Sequence, residues 1–96
     1  MNKKNLSLES VVQVSEDQVS CNLDGEAAIL QLKAGMYYGT DPVGARIWNL
    51  LQESRSVGEI RDTLLKEYEV SESQCEQDLF LILEKFRKED LIRVCD

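Results

Sequence analysis

The chain has 96 residues, of which 43% are hydrophobic and 30% charged, and this balance excludes a disordered chain and fits one globular domain. The net charge of −7, with 11 basic against 18 acidic residues, disfavours nucleic-acid binding. The absence of His removes the commonest acid–base group near neutral pH. We therefore expect a protein that is not an enzyme and uses no cofactor or metal.

The longest apolar run, residues 79–83, is too short to span a membrane. The polar start of the chain is not followed by the apolar segment of a secretory signal, so we expect a cytoplasmic protein without membrane contact. Cys21, Cys75 and Cys95 are too widely spaced for a disulfide framework or a metal-ligand pair. We expect reduced thiols that act mainly as small apolar fillers.

The N-terminal half predicts a small antiparallel sheet. Residues 1–10 lack a clear period and are expected to form a flexible lead-in to one domain over residues 11–96, which starts with a short strand at 11–14 beside the C-terminal segment. Asp24-Gly25 then predicts a two-residue hairpin turn.

That turn sets the register of the hairpin. It places Val19 opposite Leu30 and Cys21 opposite Ala28, so the larger apolar residues share one face, and the sheet is expected to rest one face on a core. Residues 36–39 return as the third strand of this meander, with an open outer edge.

Three helices are predicted to follow. Asp41-Pro42 provides a cap and a first-turn Pro for a helix that runs to about Ser54. Ser56-x-x-Glu59 and Ser71-x-x-Gln74 have the capping-box pattern and open a helix through Tyr68 and a helix over 72–88. The first helix has a buried stripe with Trp48 at its margin, formed by Val43, Ile47, Leu50 and Leu51. A short extended segment at 91–94 completes an α+β, winged-helix-like domain with a three-stranded antiparallel sheet followed by three helices.

Two surfaces of this predicted fold are candidates for binding. An open edge at residues 36–38 can capture an extended peptide, although Tyr37 and Tyr38 can equally pack as one core residue and one half-exposed lid. The apolar run of the last helix exceeds one core stripe, with Leu81 on one flank and Phe80 on the other. A groove beside the third strand, a partner helix or a homodimer contact would each explain the excess.

The stretch LKAGMYYGTDPVGARIW at residues 32–48 resembles the PqqD-like family, and most of all the stand-alone leader-binding proteins of lasso-peptide biosynthesis. The likeness extends over residues 18–95 and includes the segments at 56–60 and 75–78. Thr40 departs from the family pattern, in which an apolar residue is common, and Asp90 stands where Gly often precedes the final Leu.

The resemblance implies a precursor-peptide recognition element with no catalytic residues. In relatives, the leader of a ribosomally made precursor adds as a strand beside the third strand and lies against the third helix. The peptide-binding positions that it implies are the backbone of Met36, Tyr37 and Tyr38 and the side chains of Asp78, Leu81, Ile82, Lys85 and Phe86. The family delivers the precursor to a cysteine-type leader peptidase and then to an ATP-dependent macrolactam-forming enzyme.

Two other classes of protein predict different sequence features. A winged-helix DNA-binding regulator needs a basic recognition helix, whereas residues 71–78 contain three acidic residues and no Lys or Arg. A small enzyme subunit needs a polar catalytic cluster, which the sequence does not contain. Leader-peptide binding is therefore the leading hypothesis, with the DNA-binding regulator as the alternative.

Overall fold

The computed structural model of the chain describes residues 5–95. Within them, six strands and three helices form two small antiparallel sheets and a helical layer, which confirms the α+β class and the sheet-then-helices order. In chain order the elements are β1 (Val11–Val14), β2 (Gln18–Leu23), β3 (Glu26–Gln31), β4 (Met36–Gly39), α1 (Pro42–Leu50), β5 (Arg55–Ser56), α2 (Val57–Glu67), α3 (Glu72–Lys88) and β6 (Ile92–Val94).

The predicted meander is the sheet β2-β3-β4. Asp24 and Gly25 both have positive φ, at 51° and 82°, as a two-residue hairpin turn requires. Val19 pairs with Leu30 across this hairpin, so the predicted register is confirmed.

The face of this sheet that carries the larger apolar side chains points away from the core. Val19 is 55% exposed and Leu23 is 60% exposed, whereas Ala27 and Ile29 on the other face are buried. The reason is that α1 packs against the face with the smaller side chains, where the indole Nε1 of Trp48 donates a hydrogen bond of 2.9 Å to Ser20 Oγ. Exposure of Cys21 on the outward face shows that its prediction as a packed filler is wrong.

The second sheet has the strand order β5-β1-β6. The predicted pairing of the first strand with the C-terminal segment is confirmed, since Val12 lies opposite Val94. The prediction that α1 runs to about Ser54 is wrong, because the helix ends at Leu50. Arg55 pairs with Val12 as part of β5, and its Nε donates a 2.8 Å hydrogen bond to the carbonyl oxygen of Leu50.

Trp48 lies at the centre of the core, not at its margin, and only 1% of it is exposed. Its ring meets Phe86 of α3 edge-on, with the ring centroids 5.4 Å apart. Because the sheet covers one side of α1 and α3 reaches the other, the buried face of α1 is wider than a single apolar stripe. Val43, which was predicted in that stripe, is 37% exposed.

The helix starts follow the predicted caps. Asp41 Oδ1 accepts a hydrogen bond of 2.8 Å from the N–H of Gly44, and the capping box of Ser56 and Glu59 has both of its bonds. The N–H and hydroxyl of Ser56 hold the pKa of Glu59 below its ordinary value. At the third helix only one of the two capping-box bonds forms, in which the Ser71 hydroxyl accepts from the backbone N–H of Gln74. The Gln74 side chain points along the helix instead, where its Nε2 donates to Asp78 Oδ1.

The end of α3 is a Schellman motif with Asp90 in the position that usually holds Gly. The N–H of Leu91 donates to the Phe86 carbonyl oxygen at 2.9 Å and the N–H of Asp90 to that of Arg87 at 3.1 Å. Asp90 has a φ of 58°, in the left-handed region that costs most residues about 1 kcal/mol.

Asp90→Gly is therefore expected to stabilise the domain by about 0.5–1 kcal/mol, because Gly adopts this φ without steric cost. Denaturant unfolding of the variant and the natural chain measures the difference. Asp90→Ala is the control, since it removes the carboxylate and keeps the Cβ. An equal gain from Asp90→Ala would mean that charge, and not φ, is the cause.

Part of the predicted lead-in lies within the described residues. Leu6 and Leu8 pack against the core, and the carbonyl oxygen of Leu8 accepts a 2.9 Å hydrogen bond from the N–H of Gly58 at the start of α2. Residues 1–4 of the lead-in lie outside the described residues, and its boundary at residue 10 stays a prediction. None of the helices within residues 5–95 has the length and apolar character needed to cross a bilayer.

Candidate functional site

Strand β4 has one paired edge and one open edge in the described sheet, because it lies last in the order β2-β3-β4. Tyr38 pairs with Ile29, and the N–H of Thr40 donates to the Ala27 carbonyl oxygen at 2.9 Å. Since backbone groups alternate sides along an antiparallel strand, the N–H and C=O groups of Tyr37 and of Gly39 point to the open edge. These four groups can pair with an added strand.

A cavity of about 150 Å³ lies between this open edge and α3, and we call it the edge cavity. Tyr38 closes it on the β4 side, while Ile82 and Phe86 supply apolar walls from α3. Lys85 adds a positive charge, and Asp41 and Glu89 add negative charges. Its lining residues are Tyr38, Gly39, Thr40, Asp41, Gly44, Ile82, Lys85, Phe86, Glu89 and Leu91.

Tyr38 joins the edge strand to the end of α3. Its ring is partly buried against the core, and its hydroxyl lies near enough to the Glu89 carboxylate to feel its negative charge. Burial, and then the nearby negative charge of Glu89, raise the pKa of Tyr38, so the phenol stays protonated at neutral pH. The side chain therefore fixes one wall of the edge cavity.

Four of the eight predicted site residues come together at the edge cavity: Tyr38, Ile82, Lys85 and Phe86. Met36, on the same face of β4 as Tyr38, is 53% exposed. Tyr37 is 74% exposed and points to the opposite face, beside Val19 and Leu30. Its side chain thus lies on the other side of the sheet from the cavity, although its backbone faces the open edge.

The other two predicted residues lie elsewhere on α3. Leu81 is 71% exposed and lines neither the edge cavity nor the second cavity described next. Asp78 lies one helical turn before Ile82 and faces that second cavity. Its Oδ1 accepts a hydrogen bond of 2.9 Å from Gln74 Nε2.

The second cavity has a volume of about 300 Å³, and we call it the turn cavity because it includes the turn between α2 and α3. Sequence reasoning missed it. The available signal was the apolar character of Val43, Tyr68 and Val70, which are 37–39% exposed at helix ends that are usually polar. The lining residues are Val43, Ile47, Leu64, Tyr68, Glu69, Val70, Cys75, Asp78, Leu79 and Ile82.

The third notable surface is the outward side of the sheet, which we call the outer face. It is formed by Val19, Cys21, Leu23, Ala28, Leu30 and Tyr37. Its hydrophobic side chains reach 74% exposure at Tyr37. Because exposed apolar patches of this kind often mark interaction sites, the outer face is a candidate for contact with another protein.

The turn cavity contains groups that can bind a ligand, but its thiol, Cys75, is not an activated nucleophile. Cys75 is 5% exposed, and burial raises the pKa of its thiol, which is opposite to what an activated thiol needs. This agrees with its prediction as a packed residue. Among residues 5–95, no three Cys, Asp or Glu side chains come together in a group that could hold a metal ion.

Comparison with known proteins identifies the family. The sequence profile described as "Coenzyme PQQ synthesis protein D (PqqD)" matches residues 26–92. The chain belongs to the PqqD family. The PqqD likeness predicted from residues 32–48 and their neighbours is therefore confirmed. No curated protein matches the sequence.

Two solved structures share this PqqD fold. "TbiB1 in Complex with the TbiA(beta) Leader Peptide" is 37% identical, with a TM-score of 0.81 over 84% of this chain and 94% of that chain. "Lasso peptide synthetase B1 complexed with the leader peptide" is 18% identical, with a TM-score of 0.76 over 85% of this chain and 96% of that chain, and it shows similarity of fold alone.

Proposed function

We propose that this PqqD-family protein binds the leader of a ribosomally synthesised precursor peptide, of the lasso-peptide type, and that it is not an enzyme. The observation that carries the proposal is the open edge of β4 directly beside the apolar edge cavity on α3. The 37% identical structure, which is a complex with a leader peptide, supports the same role.

In this proposal the leader adds to β4 as an extra strand. Tyr37 and Gly39 provide backbone donors and acceptors, which give affinity with little dependence on sequence. Side chains of a strand alternate between its two faces. Every second leader residue therefore faces α3, where one of them enters the edge cavity against Ile82 and Phe86, and the residues between them lie on the outer face beside Tyr37.

Charge adds selectivity to this arrangement. The chain has a net charge of −7, which favours a leader that carries Lys or Arg. Lys85 is the one basic residue of the edge cavity, which Asp41 and Glu89 also line, and it favours an acidic leader residue at the point that it faces. The remaining predicted positions, Met36, Asp78 and Leu81, are proposed to contact the leader where it extends beyond the cavity.

We further propose that the bound leader is delivered to separate enzymes, a cysteine-type leader peptidase and then a macrolactam-forming synthetase. The outer face suits docking of such a protein, because its apolar side chains are exposed and adjoin the strand to which the leader adds.

Leu23→Asp tests this contact apart from leader binding. It is expected to slow leader removal by the peptidase and leave leader affinity unchanged.

Titration with a synthetic leader from the precursor encoded beside this chain tests the function. We expect a dissociation constant of about 1 μM or tighter, which Lys85→Glu weakens. Leu81→Asp tests whether the leader also contacts the exposed flank of α3, in which case this variant binds the leader more weakly. Failure to bind any neighbouring leader would overturn the proposal. Binding to random duplex DNA in a low-salt mobility shift would favour the DNA-binding alternative.

The two adjacent tyrosines are expected to separate stability from binding. Tyr38→Ala removes a partly buried ring that packs against the core, and should lower stability by about 2–4 kcal/mol. Tyr37→Ala removes a side chain that is 74% exposed, and should mainly weaken leader binding. Melting temperatures and leader titrations of both variants check this. The reverse pattern would contradict the assignment of faces.

A further inference from the structure

The turn cavity adjoins the edge cavity along α3. Ile82 lines both, and the other α3 residues divide between them, with Asp78 and Leu79 in the turn cavity and Lys85 and Phe86 in the edge cavity. At 1.5 Å per helical residue, the two sets lie about 9–12 Å apart along the helix. An extended peptide covers that distance in about three to four residues.

The turn cavity has the composition of a side-chain pocket. Its volume of about 300 Å³ is twice that of the edge cavity, and its floor is apolar, with Leu79 and Cys75 buried. Val43, Val70 and Tyr68 are partly exposed apolar residues of its lining. An apolar side chain that fills it would remove these surfaces from water.

The charges of the turn cavity restrict its occupant. Glu69 and Asp78 both line it, and no Lys or Arg does. A second copy of this chain, with its own net charge of −7, would bring like charges together. A peptide with a Lys or Arg beside an apolar residue complements both the carboxylates and the apolar floor.

We infer that the turn cavity is a second side-chain pocket for the same leader peptide. It receives one aliphatic or aromatic residue, next to a Lys or Arg that faces Glu69 and Asp78, about three to four residues from the side chain in the edge cavity. This inference rests on the proposed function and adds a determinant of leader specificity. Asp78 thereby acts as a recognition group on the α3 side of the turn cavity.

Two variants at the turn cavity test the inference with the synthetic leader and its single-Ala series. Val70→Asn places a polar group in the lining, and is expected to weaken binding about five- to tenfold. The double variant Glu69→Gln/Asp78→Asn alters only exposed side chains. It is expected to weaken binding several-fold at low salt and to differ less from the natural chain at high salt. Leu32→Asn, at an exposed turn residue that lines neither cavity, is the control.

The Ala series locates the leader residue that enters the turn cavity. In a double-mutant cycle, Val70→Asn should couple to one apolar leader position, and Glu69→Gln/Asp78→Asn to a neighbouring Lys or Arg. Lys85→Glu should couple to a leader position about three to four residues away. Melting temperatures show whether Val70→Asn is folded. If it is not, the charge variant alone decides.

Three results would overturn the inference. If both turn-cavity variants bind the leader within twofold of the natural chain while Lys85→Glu weakens binding, the leader-binding function stands and the turn cavity is not part of the site. If light scattering without peptide shows a dimer that Val70→Asn abolishes, the occupant is a second copy. If the natural chain binds no neighbouring leader, the proposed function fails first and this inference falls with it.

Discussion

Tyr37→Pro is expected to weaken leader binding about a hundredfold or more and to change the melting temperature little, because its effects fall on the open edge of β4. Proline has no N–H, and its ring occupies the space in which an added strand would pair. The N–H of Tyr37 points away from β3, so no bond of the described sheet is lost. Leader titration and thermal unfolding measure the two effects separately.

Two variants control for this substitution. Tyr37→Ala removes the same side chain and keeps the N–H, so its smaller loss of affinity gives the share due to the side chain. Tyr38→Pro removes an N–H that faces Ile29 within the sheet, and should therefore unfold or strongly destabilise the domain. If Tyr37→Pro binds the leader as well as Tyr37→Ala does, strand addition at this edge is not the binding mode.

Trp48→Ala is expected to have the largest effect on stability among the side-chain truncations, about 3–5 kcal/mol. The indole is 1% exposed, packs edge-on against Phe86 at 5.4 Å, and donates to Ser20 Oγ at 2.9 Å. Domains of this size have total stabilities of about 5–10 kcal/mol, so the variant would be marginally folded at room temperature. Urea unfolding followed by circular dichroism measures the loss.

A smaller replacement separates packing from hydrogen bonding at Trp48. Trp48→Phe keeps an aromatic ring against Phe86 and removes the donor to Ser20, so we expect a loss of about 1–3 kcal/mol. Ser20→Ala removes only the hydrogen-bond acceptor. Because Ser20 is exposed, this variant should lower stability by less than Trp48→Phe does. A loss below about 1 kcal/mol for Trp48→Ala would contradict the central position of this side chain.

The elements that local chemistry specifies were predicted from the sequence. Asp24-Gly25 sets the hairpin register through its positive φ values, and the Asp41-Pro42 and Ser56-x-x-Glu59 caps set two helix starts. The open edge at residues 36–39 followed from the order of the meander. The peptide-binding positions came from the resemblance to the PqqD-like family, and they stay a prediction.

Features that depend on packing between distant segments were not predictable in this way. Alternation shows that Val19 and Leu30 share a face, but the position of α1 decides which face is covered, and Ser20 leaves room for Trp48 on the side with smaller residues. The early end of α1 depends on Arg55, which pairs with a strand more than forty residues earlier in the chain. The turn cavity likewise requires all three helices.

Amide hydrogen exchange with and without the synthetic leader tests strand addition at β4 most directly. The N–H groups of Tyr37 and Gly39 face the open edge and should exchange fast in the free protein, then slow markedly when the leader pairs with them. The N–H of Tyr38 faces Ile29 and should be protected in both states. Saturating leader that leaves Tyr37 and Gly39 exchanging at their free rates would contradict the account.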